Sequence, residues 1–366
     1  MEFTVGKQRI LAELNLLQGI IERKSTIPIL SNVLIEADGA SQISLIATDL
    51  DVSMQCKCAA DVANPGAVVL QARKLFDIVR SLPDSEIVFT KEDGDWVKIN
   101  CGGSRFRMVG HAKEHYPSIP QCDKAGIQIK TDILHGMISR TIYAITQEES
   151  RYALNGALLL INGASLKLIT TDGHRLAMAG CEVQGASEDV KVIIPRKALT
   201  ELLKLAGGGD ENIEFSKDEN HLYFKGAARN LVSRTLAGQF PNYEIVVPKA
   251  NDKIVKLGLD KISQAIKRAA LMADERSHGV KLEFENDAIE ITSQTADLGD
   301  AHEVVQIEYR GEKVTVKFNA MYVLDFLNVV DTEEVSLEMK NEQTPVLFKP
   351  LGSKYDYQYV VMPMRL

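Results

Sequence analysis

The sequence has few of the features that mark disulfide frameworks, metal centres or membrane spans. Its 366 residues include five cysteines, scattered without the paired C-x-x-C spacing of a zinc site or a secreted disulfide framework. No apolar run approaches the roughly 18–20 residues of a membrane span, and charges interrupt the apolar pattern of the first residues, MEFTVGKQRILAEL. We therefore expect reduced thiols, no signal peptide, no membrane partner and a cytoplasmic protein.

One pair of cysteines leaves an alternative open. Cys56 and Cys58 stand two apart, which puts both on one face if the segment is a strand. Two thiols supply only half of a tetrahedral zinc shell, so an ordinary buried strand is favoured over a metal site. No G-x-x-x-x-G-K-[ST] phosphate-binding loop is present either. We expect no cofactor and no metal.

Length and composition indicate a folded protein of several domains. The chain has 45% hydrophobic and 25% charged residues, which is typical of globular proteins, and 366 residues suit two or three domains. Its 50 acidic against 42 basic residues give a net charge of −8. That balance argues against indiscriminate binding to polyanions, although it says nothing of how the charge is distributed.

A polar cluster after an apolar run recurs along the chain. Residues 168–178 read LITTDGHRLAM, residues 45–54 read LIATDLDVSM and residues 289–297 read IEITSQTAD. Asp49, Asp172 and Gln294 hold the same place in these stretches, 123 and 122 residues apart. A catalytic cluster is normally unique within a chain, whereas a structural turn recurs with its repeat.

Two further elements recur with the same period. VVLQARKLFDIVRSLPD, VIIPRKALTELLKLAGG and VKFNAMYVLDFLNVVD each run from a β-branched strand into a helix, and HYPSIP, FPNYEIVVP and YVVMPMRL close the successive units. The chain is therefore interpreted as a triplication, with linkers at PSIPQCDKAG and PKANDK. We predict domains at 1–122, 123–250 and 251–366.

Periodicity predicts an α+β class for each unit. Residues 7–21, 131–145 and 259–272 carry apolar positions at three- and four-residue spacing, which is typical of a helix with one buried stripe, and Thr131 suits a helix start. Alternating apolar residues around an Asp-Gly pair in VLIEADGASQISLIATD predict a β-hairpin.

The predicted helices are basic within an acidic protein. In residues 73–82, Leu75, Ile78, Val79 and Leu82 form the apolar stripe, while Arg73 and Arg80 lie on the opposite face with Asp77. Any solvated helix face holds some Lys and Arg, so one helix alone would mean little. Because the bias recurs in successive units, we expect a surface that attracts DNA phosphates without reading bases.

Two other function classes are compatible with parts of the sequence. An enzyme would use Asp172, His174 and Arg175 with Thr170 or Thr171 as nucleophile, but a general base needs an orienting partner that the sequence does not supply. The turn also recurs around Asp49 without the Gly-His pair. A repeat scaffold that binds proteins only is the remaining alternative to a DNA-binding protein.

The triple repeat, ITTDGHRLA, IPRKALTELL, FPNYEIVVP, the opening MEFTV and the terminal YVVMPMRL resemble the bacterial DNA polymerase III beta subunit family, the sliding clamps, from end to end. The resemblance implies a non-catalytic processivity factor: three clamp domains per chain, each with two inward helices and outer antiparallel sheets, and a ring-shaped head-to-tail homodimer around duplex DNA. It also implies partners, namely the replicative polymerase alpha subunit, the clamp loader, translesion polymerases and mismatch repair proteins.

The resemblance implies a peptide-binding pocket between the second and third domains. Its residues in this sequence are Leu154, Thr171, Gly173, His174, Arg175, Leu176, Pro241, Val246, Asn319, Tyr322, Thr344, Val346, Val360, Val361, Met362, Pro363, Met364, Arg365 and Leu366. Flexible methionines suit a site that accepts several related peptides. The chain departs from family members at Ile245, where they carry Arg, and at Ser277, where they carry Phe.

The resemblance also implies DNA contacts and a subunit junction. Together with the basic helix positions, the DNA-binding candidates are Lys24, Arg73, Arg80, Gln147, Arg151, Tyr152, Arg196, Lys197, Lys204 and Lys267. For the homodimer, Phe106 and Met108 of one copy would meet Leu271 and Met272 of the other. Apolar character alone would instead make Phe106 and Leu271 ordinary core residues.

Overall fold

The computed structural model describes residues 1–21, 26–39, 41–183, 189–206 and 210–365, apart from the side chain of residue 149. Helices and antiparallel strands alternate along it, in agreement with the predicted α+β class. Its α-helices are α1 (Lys7–Leu17), α2 (Ala72–Ser81), α3 (Thr131–Ser139), α4 (Arg196–Ala206), α5 (Leu259–Ala270) and α6 (Ala320–Leu327). Within these described ranges, none of the helices has the length and apolar character needed to cross a membrane.

Strands make up most of the rest of the chain. They are β1 (Glu2–Gly6), β2 (Asn32–Ala37), β3 (Gln42–Thr48), β4 (Val52–Ala59), β5 (Asp61–Asn64), β6 (Gly66–Gln71), β7 (Glu86–Lys91), β8 (Trp96–Cys101), β9 (Ser104–His111), β10 (Ile127–Lys130), β11 (Gly156–Asn162), β12 (Ser165–Thr171), β13 (Arg175–Glu182), β14 (Val190–Pro195), β15 (Asn212–Lys217), β16 (His221–Lys225), β17 (Arg229–Arg234), β18 (Lys253–Gly258), β19 (Gly279–Glu285), β20 (Ala288–Thr295), β21 (Gly299–Gln306), β22 (Val314–Asn319), β23 (Glu334–Met339), β24 (Val346–Pro350) and β25 (Asp356–Val361).

The order of these elements repeats three times. A strand leads directly into a helix at β1–α1, β10–α3 and β18–α5, and again at β6–α2, β14–α4 and β22–α6. The recurring polar stretch falls each time at a hairpin turn: β3–β4, β12–β13 and β20–β21. The predicted strand-to-helix echoes and the Asp-Gly hairpin between β2 and β3 are confirmed.

The first helix of each repeat begins in the same way. α1 and α5 have no side-chain cap at their N-termini, so the first helical N–H, which has no partner within a helix, needs another acceptor. In each repeat a distant backbone carbonyl accepts it: Lys7 N–H to Ser85 O at 3.1 Å, Thr131 N–H to Glu211 O at 3.0 Å and Leu259 N–H to Glu333 O at 2.8 Å. The predicted helix start at Thr131 is confirmed.

The predicted helices end earlier than the apolar periodicity indicated. α1 ends at Leu17, α3 at Ser139 and α5 at Ala270. After α3, the hydroxyl of Thr141 donates to the carbonyl of Met137 at 2.8 Å, and the chain continues as a short 3-10 turn. Side-chain hydrogen bonds of this kind compete with the helical ladder and favour its end.

Residues 1–135 and 197–235 form one compact unit. Thirteen strands build its sheet in the order β10-β15-β16-β17-β4-β3-β2-β6-β9-β8-β7-β1-β5. Strands of the second repeat join strands of the first where β17 pairs with β4, with Leu231 opposite Met54. α1 packs on α2 and on strands of this sheet, and its Ile10, Leu14 and Leu17 are fully buried.

Residues 136–196 and 236–366 form the second unit. Its larger sheet has the order β14-β11-β12-β13-β25-β24-β23-β18, and its smaller sheet the order β21-β20-β19-β22. The second and third repeats join where β13 pairs with β25, with Leu176 opposite Val360. α5 packs on α6 and on the smaller sheet. The compact units group residues by contact and not by repeat, so the three domain ranges stay a prediction.

Four of the five cysteines are buried, and Cys181 is half-buried. Cys56 and Cys58 alternate with more exposed residues along β4, as predicted for one face of a strand, and all five cysteines are free thiols. Burial raises the pKa of Cys58, with a smaller contribution from the charge of Glu13, to about 11, and burial alone raises that of Cys181 to about 11. Such thiols stay protonated and unreactive near neutral pH.

Candidate functional site

The turn between β12 and β13 is held by the carboxylate of Asp172. Its Oδ1 accepts the backbone N–H groups of His174 at 2.9 Å and Arg175 at 3.0 Å. Asp49 holds the β3–β4 turn in the same way, accepting the N–H groups two and three residues on. Gly173 has a φ of +90°, which a residue with a side chain rarely adopts. The recurring aspartate is therefore a structural element of a hairpin turn.

The hydroxyl groups of Thr170 and Thr171, the candidate nucleophiles, donate to backbone carbonyls. Thr170 Oγ1 donates to the carbonyl of Thr141 at 2.7 Å, and Thr171 Oγ1 donates to that of Arg175 at 2.6 Å. Neither hydroxyl faces a general base, and Asp172 uses its second oxygen to bind Arg175 at 2.9 Å. The geometry that nucleophilic catalysis requires is not formed here.

Arg175 joins this turn to the third repeat. Its guanidinium binds Asp172 and the carboxylate of Asp325 at 2.5 Å, and donates to the carbonyl of Tyr143 at 2.8 Å. It also lies over the ring of Tyr322, 4.3 Å from the centroid. Only 10% of the side chain is exposed, and a planar guanidinium can serve all these partners at once. Arg175 thus fixes α6 against β13.

Buried tyrosines surround this arginine and stay neutral. Burial raises the pKa of Tyr143 and Tyr359 well above the ordinary value. The hydroxyl groups of Tyr143 and Tyr357 lie 2.6 Å apart, and the hydroxyl of Tyr359 donates to the carbonyl of Tyr322 at 2.8 Å. Rigid support of this kind keeps the turn and α6 in fixed positions.

An apolar surface lies beside the turn. Leu176, Phe240, Leu347 and Val360 belong to one buried cluster, and Leu154 packs against it from the outside. The terminal segment after β25 runs between the turn and β22, because Met362 N–H donates to the carbonyl of His174 at 2.9 Å and Met364 N–H to that of Lys317 at 2.7 Å. We call the surface formed by Leu154, residues 173–175, Tyr322 and residues 362–365, with the buried Leu176, Val360 and Val361 beneath it, the groove.

The groove is exposed at Met362, 40% of which is accessible. Val246 (36%) and Ile245 (80%) are also exposed, on the short turn whose Tyr243 packs against the same buried cluster. The ring of His174 stacks on Tyr322, with centroids 6.5 Å apart. Next to the terminal segment, an open pocket of about 570 Å³ is lined by Pro363, Met364 and Arg365 with Glu342 and Gln343. The arrangement can bind an extended peptide with apolar side chains.

The structure brings most of the predicted pocket residues together, at different depths. Buried ones are Leu176, Val346, Val360 and Val361; half-buried ones are Leu154, Thr171, Arg175, Asn319, Tyr322, Thr344, Pro363 and Met364; exposed ones are Gly173, His174, Pro241, Val246, Met362 and Arg365. Leu366 lies outside the described residues. Among the residues that the structure describes, Thr344 hydrogen-bonds only within its own turn, to Asn341. Val346 and Val361 pair with each other in the sheet behind the groove.

Some residues that shape the groove were missed in the sequence. Asp325 and Tyr143, which hold Arg175, were not among the predicted pocket residues. The three-residue spacing of Tyr322 and Asp325 on α6 puts them on one helix face and was a usable signal. The carbonyl of Tyr143 offered none, because any residue supplies one.

The predicted DNA-binding residues differ in how free their charges are. Arg73 and Lys267 are exposed, as are Gln147 and Tyr152. Arg80 pairs with Asp77 at 3.0 Å, and Arg151 with Glu148 at 3.2 Å. The remaining three contact other parts of the chain. Arg196 donates to the carbonyl of Ile145 at 3.5 Å, and Lys204 binds the buried Glu201 at 2.8 Å. Lys197 binds the carboxylate of Asp49 and the carbonyl of Ile20. Lys24 lies outside the described residues.

The predicted junction residues also differ in exposure. Phe106 is 38% exposed and Leu271 78%, so the expectation from apolar character alone, that both are core residues, is wrong. Met272 is half-buried, and Met108 is buried at 8% exposure within its own unit. Met108 lies on the same face of β9 as Phe106, two residues further along, where the core covers it.

Metal ligands are not gathered anywhere in the part of the chain that the structure describes: it holds no group of three or more His, Cys, Asp or Glu side chains placed for a metal ion. His111 and His115 have the four-residue spacing of some zinc sites. Both are exposed, however, and no third His, Cys, Asp or Glu side chain among the described residues joins them to form a metal site.

Three stretches match the family described as the DNA polymerase III beta subunit: residues 1–120 its N-terminal domain, 128–242 its central domain and 244–365 its C-terminal domain. The beta sliding clamp of Pseudomonas aeruginosa is 34% identical over 369 residues, covering 100% of both chains. That of Escherichia coli K12 is 31% identical with the same coverage.

Solved structures of sliding clamps share the fold. The P. aeruginosa sliding clamp bound to griselimycin superposes with a TM-score of 0.95 at 34% identity, covering 100% of both chains. The Bacillus subtilis clamp gives a TM-score of 0.95 at 28% identity, covering 100% of this chain and 99% of that one.

Proposed function

The chain belongs to the DNA polymerase III beta subunit family, the sliding clamps, and we propose that it encircles duplex DNA without sequence specificity and tethers other replication proteins through the groove. The observation that carries the proposal is the match of three clamp domains in tandem from residue 1 to residue 365. A sliding clamp is a non-catalytic processivity subunit, and the turn around Asp172, with its carboxylate engaged by backbone N–H groups, suits that role. We assign the domains to 1–122, 123–250 and 251–366.

Two copies form the ring through strand edges that the chain leaves open. Within the chain, β17 pairs with β4 and β25 pairs with β13, each joining one repeat to the next. The equivalent edge strands are β9 in the first repeat and β21 in the third. Among the described residues, β21 is the terminal strand of its sheet, and β9 meets β6 only at Gly110 and His111.

An open strand edge has unpaired N–H and C=O groups, which can hydrogen-bond to a strand of another chain. Pairing β9 of one copy with β21 of a second copy would repeat the in-chain arrangement and cover the exposed Phe106 and Leu271. The edge strands also carry opposite charges, Arg105 on β9 and Asp300 on β21, both exposed. A head-to-tail contact that closes after two copies gives a homodimer with two identical junctions.

DNA binding rests on the cations of the helices and the loop before β11. Arg73 and Lys267 offer exposed charges, and Arg80, Arg151, Arg196, Gln147 and Tyr152 add further contacts. Lysine and arginine act on phosphates through counterion release and carry no sequence information. Lys197 and Lys204 contribute less, because in-chain carboxylates already offset their charges.

The groove is the site for partners, which are the replicative polymerase alpha subunit, the clamp loader, translesion polymerases and mismatch repair proteins. Support comes from the apolar surface between the turn and the terminal segment, which is supported by Arg175 and accessible at Met362. No cofactor or metal takes part. We place the protein in the cytoplasm, where bacterial replication takes place.

Retention on circular DNA tests the proposal. The protein is loaded onto nicked plasmid with a bacterial clamp loader and ATP, then separated from free protein by gel filtration in 150 mM NaCl. We expect it to remain on the circle and to leave once a restriction enzyme linearises the plasmid, because topology and not affinity holds it. Equal loss from circular and linear DNA would instead favour a scaffold that binds proteins only.

Removing the terminal segment tests the groove. Deleting residues 364–366 should abolish binding of a polymerase-derived peptide in fluorescence anisotropy, because Met364 N–H fixes the segment beside Lys317. The mass of the dimer in solution should stay the same, since β9 and β21 are untouched. Unchanged peptide affinity would show that the groove is not the binding site.

A further inference from the structure

The face of the smaller sheet that points away from α5 carries a row of basic side chains. Ser293 on β20 faces α5, because its hydroxyl donates to the carbonyl of Ala269 at 2.5 Å. Neighbouring residues of a strand point to opposite faces, so Thr292 lies on the other face. Strand pairing places Lys317 opposite Lys281, Lys281 opposite Thr292 and Thr292 opposite His302. We call these four residues the basic row.

The basic row lines an open pocket. Its volume is about 840 Å³, and Ser277, Gly279, Lys281, Thr292, His302 and Lys317 are among the lining residues. Gly279 leaves room for the neighbouring lysine: a Cβ there would lie 3.0 Å from Cε of Lys317 and 3.5 Å from Oγ of Ser277. The small residues at 277 and 279 therefore keep the pocket open above the sheet.

The two lysines of the row are poorly compensated within the chain. Like charges directly opposite each other on neighbouring strands destabilise a sheet. Lys281 Nζ lies 3.8 Å from Glu283, but that carboxylate is held more closely by Lys313 at 2.5 Å. Lys317 forms no ion pair among the described residues. An anion between Lys281 and Lys317 would relieve their repulsion.

One backbone contact places the terminal segment of the groove beside the strand that carries Lys317. The carbonyl of Lys317 accepts Met364 N–H at 2.7 Å, so the terminal segment touches β22 at the end of the row. Asn319, two residues on, pairs with Gly279 and caps α6, which carries Tyr322. A peptide that leaves the groove past Met364 therefore arrives at Lys317 and Lys281.

We propose that the basic row binds one or two carboxylate side chains of the partner peptide, in the stretch that flanks its apolar anchors. The inference rests on the proposed function of the groove. Acidic side chains border the pocket: Asp274 and Asp300 line it, and Glu290 lies 3.7 Å from His302. A polyphosphate chain would be repelled along this border, whereas single carboxylates fit between the two lysines. The occupant is therefore an acidic peptide and not a nucleic acid.

A matched pair of labelled peptides tests the proposal with the full-length protein. Both peptides contain the same Leu and Phe anchors. One carries two Glu residues next to the anchors and the other carries two Gln residues there. Each pair is made in two versions, with these two residues either before or after the anchors. By anisotropy at 50 mM salt, we expect the acidic peptide to bind about 3- to 10-fold more tightly on one of the two sides, as for one or two solvent-exposed ion pairs. The difference should shrink at 500 mM salt.

Variants of the row provide the controls. The double variant Lys281→Gln, Lys317→Gln should bind both peptides equally and melt no lower than the parent, because it removes like charges. Lys256→Gln, at an exposed position of β18 outside the row, should keep the preference. Equal binding of the two peptides by the parent protein would overturn the basic row and leave the groove intact.

Two other outcomes would also overturn the inference. Failure of both peptides to bind the parent would refute the groove itself, and the basic row with it. Displacement of the acidic peptide, but not of the Gln peptide, by low concentrations of a DNA oligonucleotide would assign the row to nucleic acid.

Discussion

Replacing Arg175 by Met should destabilise the protein far more than the same change at Arg80. Both arginines pair with an aspartate three residues before them, at 2.9 Å for Arg175 and 3.0 Å for Arg80. The pairs differ in burial: 10% and 14% of the side chains are exposed in the Arg175 pair, against 64% and 43% in the Arg80 pair. The two variants therefore isolate the effect of burial on one kind of ion pair.

The expected magnitudes follow from the partners left behind. Without Arg175, Asp172 and Asp325 lose their counter-ion, and removing one member of a buried pair costs roughly 3–5 kcal/mol. Because Asp325 is 34% exposed, we take the lower end, about 3 kcal/mol. Removing an exposed pair costs at most about 1 kcal/mol. For a unit of this size, 1 kcal/mol changes the melting temperature by roughly 2–4 °C.

Thermal denaturation followed by circular dichroism, at one protein concentration, measures both variants. We expect Arg175→Met to lower the melting temperature by about 6–12 °C and Arg80→Met by less than about 4 °C. The decrease in melting temperature for Asp325→Asn should lie between these two values, because Arg175 still pairs with Asp172. Equal shifts for the two arginine variants would refute the argument that the buried guanidinium holds α6 against β13.

Three further outcomes are expected. Phe106→Arg should halve the mass in solution measured by light scattering, because a charge would be buried at the junction; an unchanged dimer would place the junction elsewhere. Arg73→Ala should reduce, by about 0.9, the slope of the logarithm of the duplex-binding constant against the logarithm of the salt concentration. Lys204→Ala should reduce that slope by clearly less, because Glu201 already binds Lys204. Equal reductions for the two variants would contradict this difference. With a pKa of about 11, Cys58 and Cys181 should react with a thiol reagent at pH 8 at least about 100-fold more slowly than the same cysteines in the denatured chain. Their reaction rate should rise about tenfold per pH unit from pH 7 to 9. Rapid labelling at pH 7 would contradict the raised pKa values.

Local patterns allowed the repeat and its turns to be predicted. The hairpin turn around Asp172 recurs at Asp49 because each aspartate accepts N–H groups two and three residues later, a contact that needs no distant partner. Apolar spacing likewise predicted which face of α2 is buried, and Leu75 and Val79 are fully buried. Such features depend on residues within one or two turns of each other.

Distant partners decided the rest of the site. Lys197 lies on a helix that is basic by sequence, but Asp49, 148 residues away, offsets its charge. The partner of Lys204 is local, because Glu201 is three residues before it, and the fold decides only that Glu201 is buried. Similarly, Phe106 and Met108 lie two residues apart on the same face of β9. The rest of the fold covers Met108, at 8% exposure, but leaves Phe106, nearer the start of the strand, 38% exposed.

The sequence by itself determined the triplication, the α+β class, the hairpin turns and the family to which the chain belongs. Tertiary structure decided how strands of neighbouring repeats join, which cations remain free for phosphate, and how Lys281 and Lys317 come to stand opposite each other. The physical reason is range. Helix faces and turns arise from contacts within a few residues, whereas the charge and exposure of a side chain depend on what the folded chain places beside it.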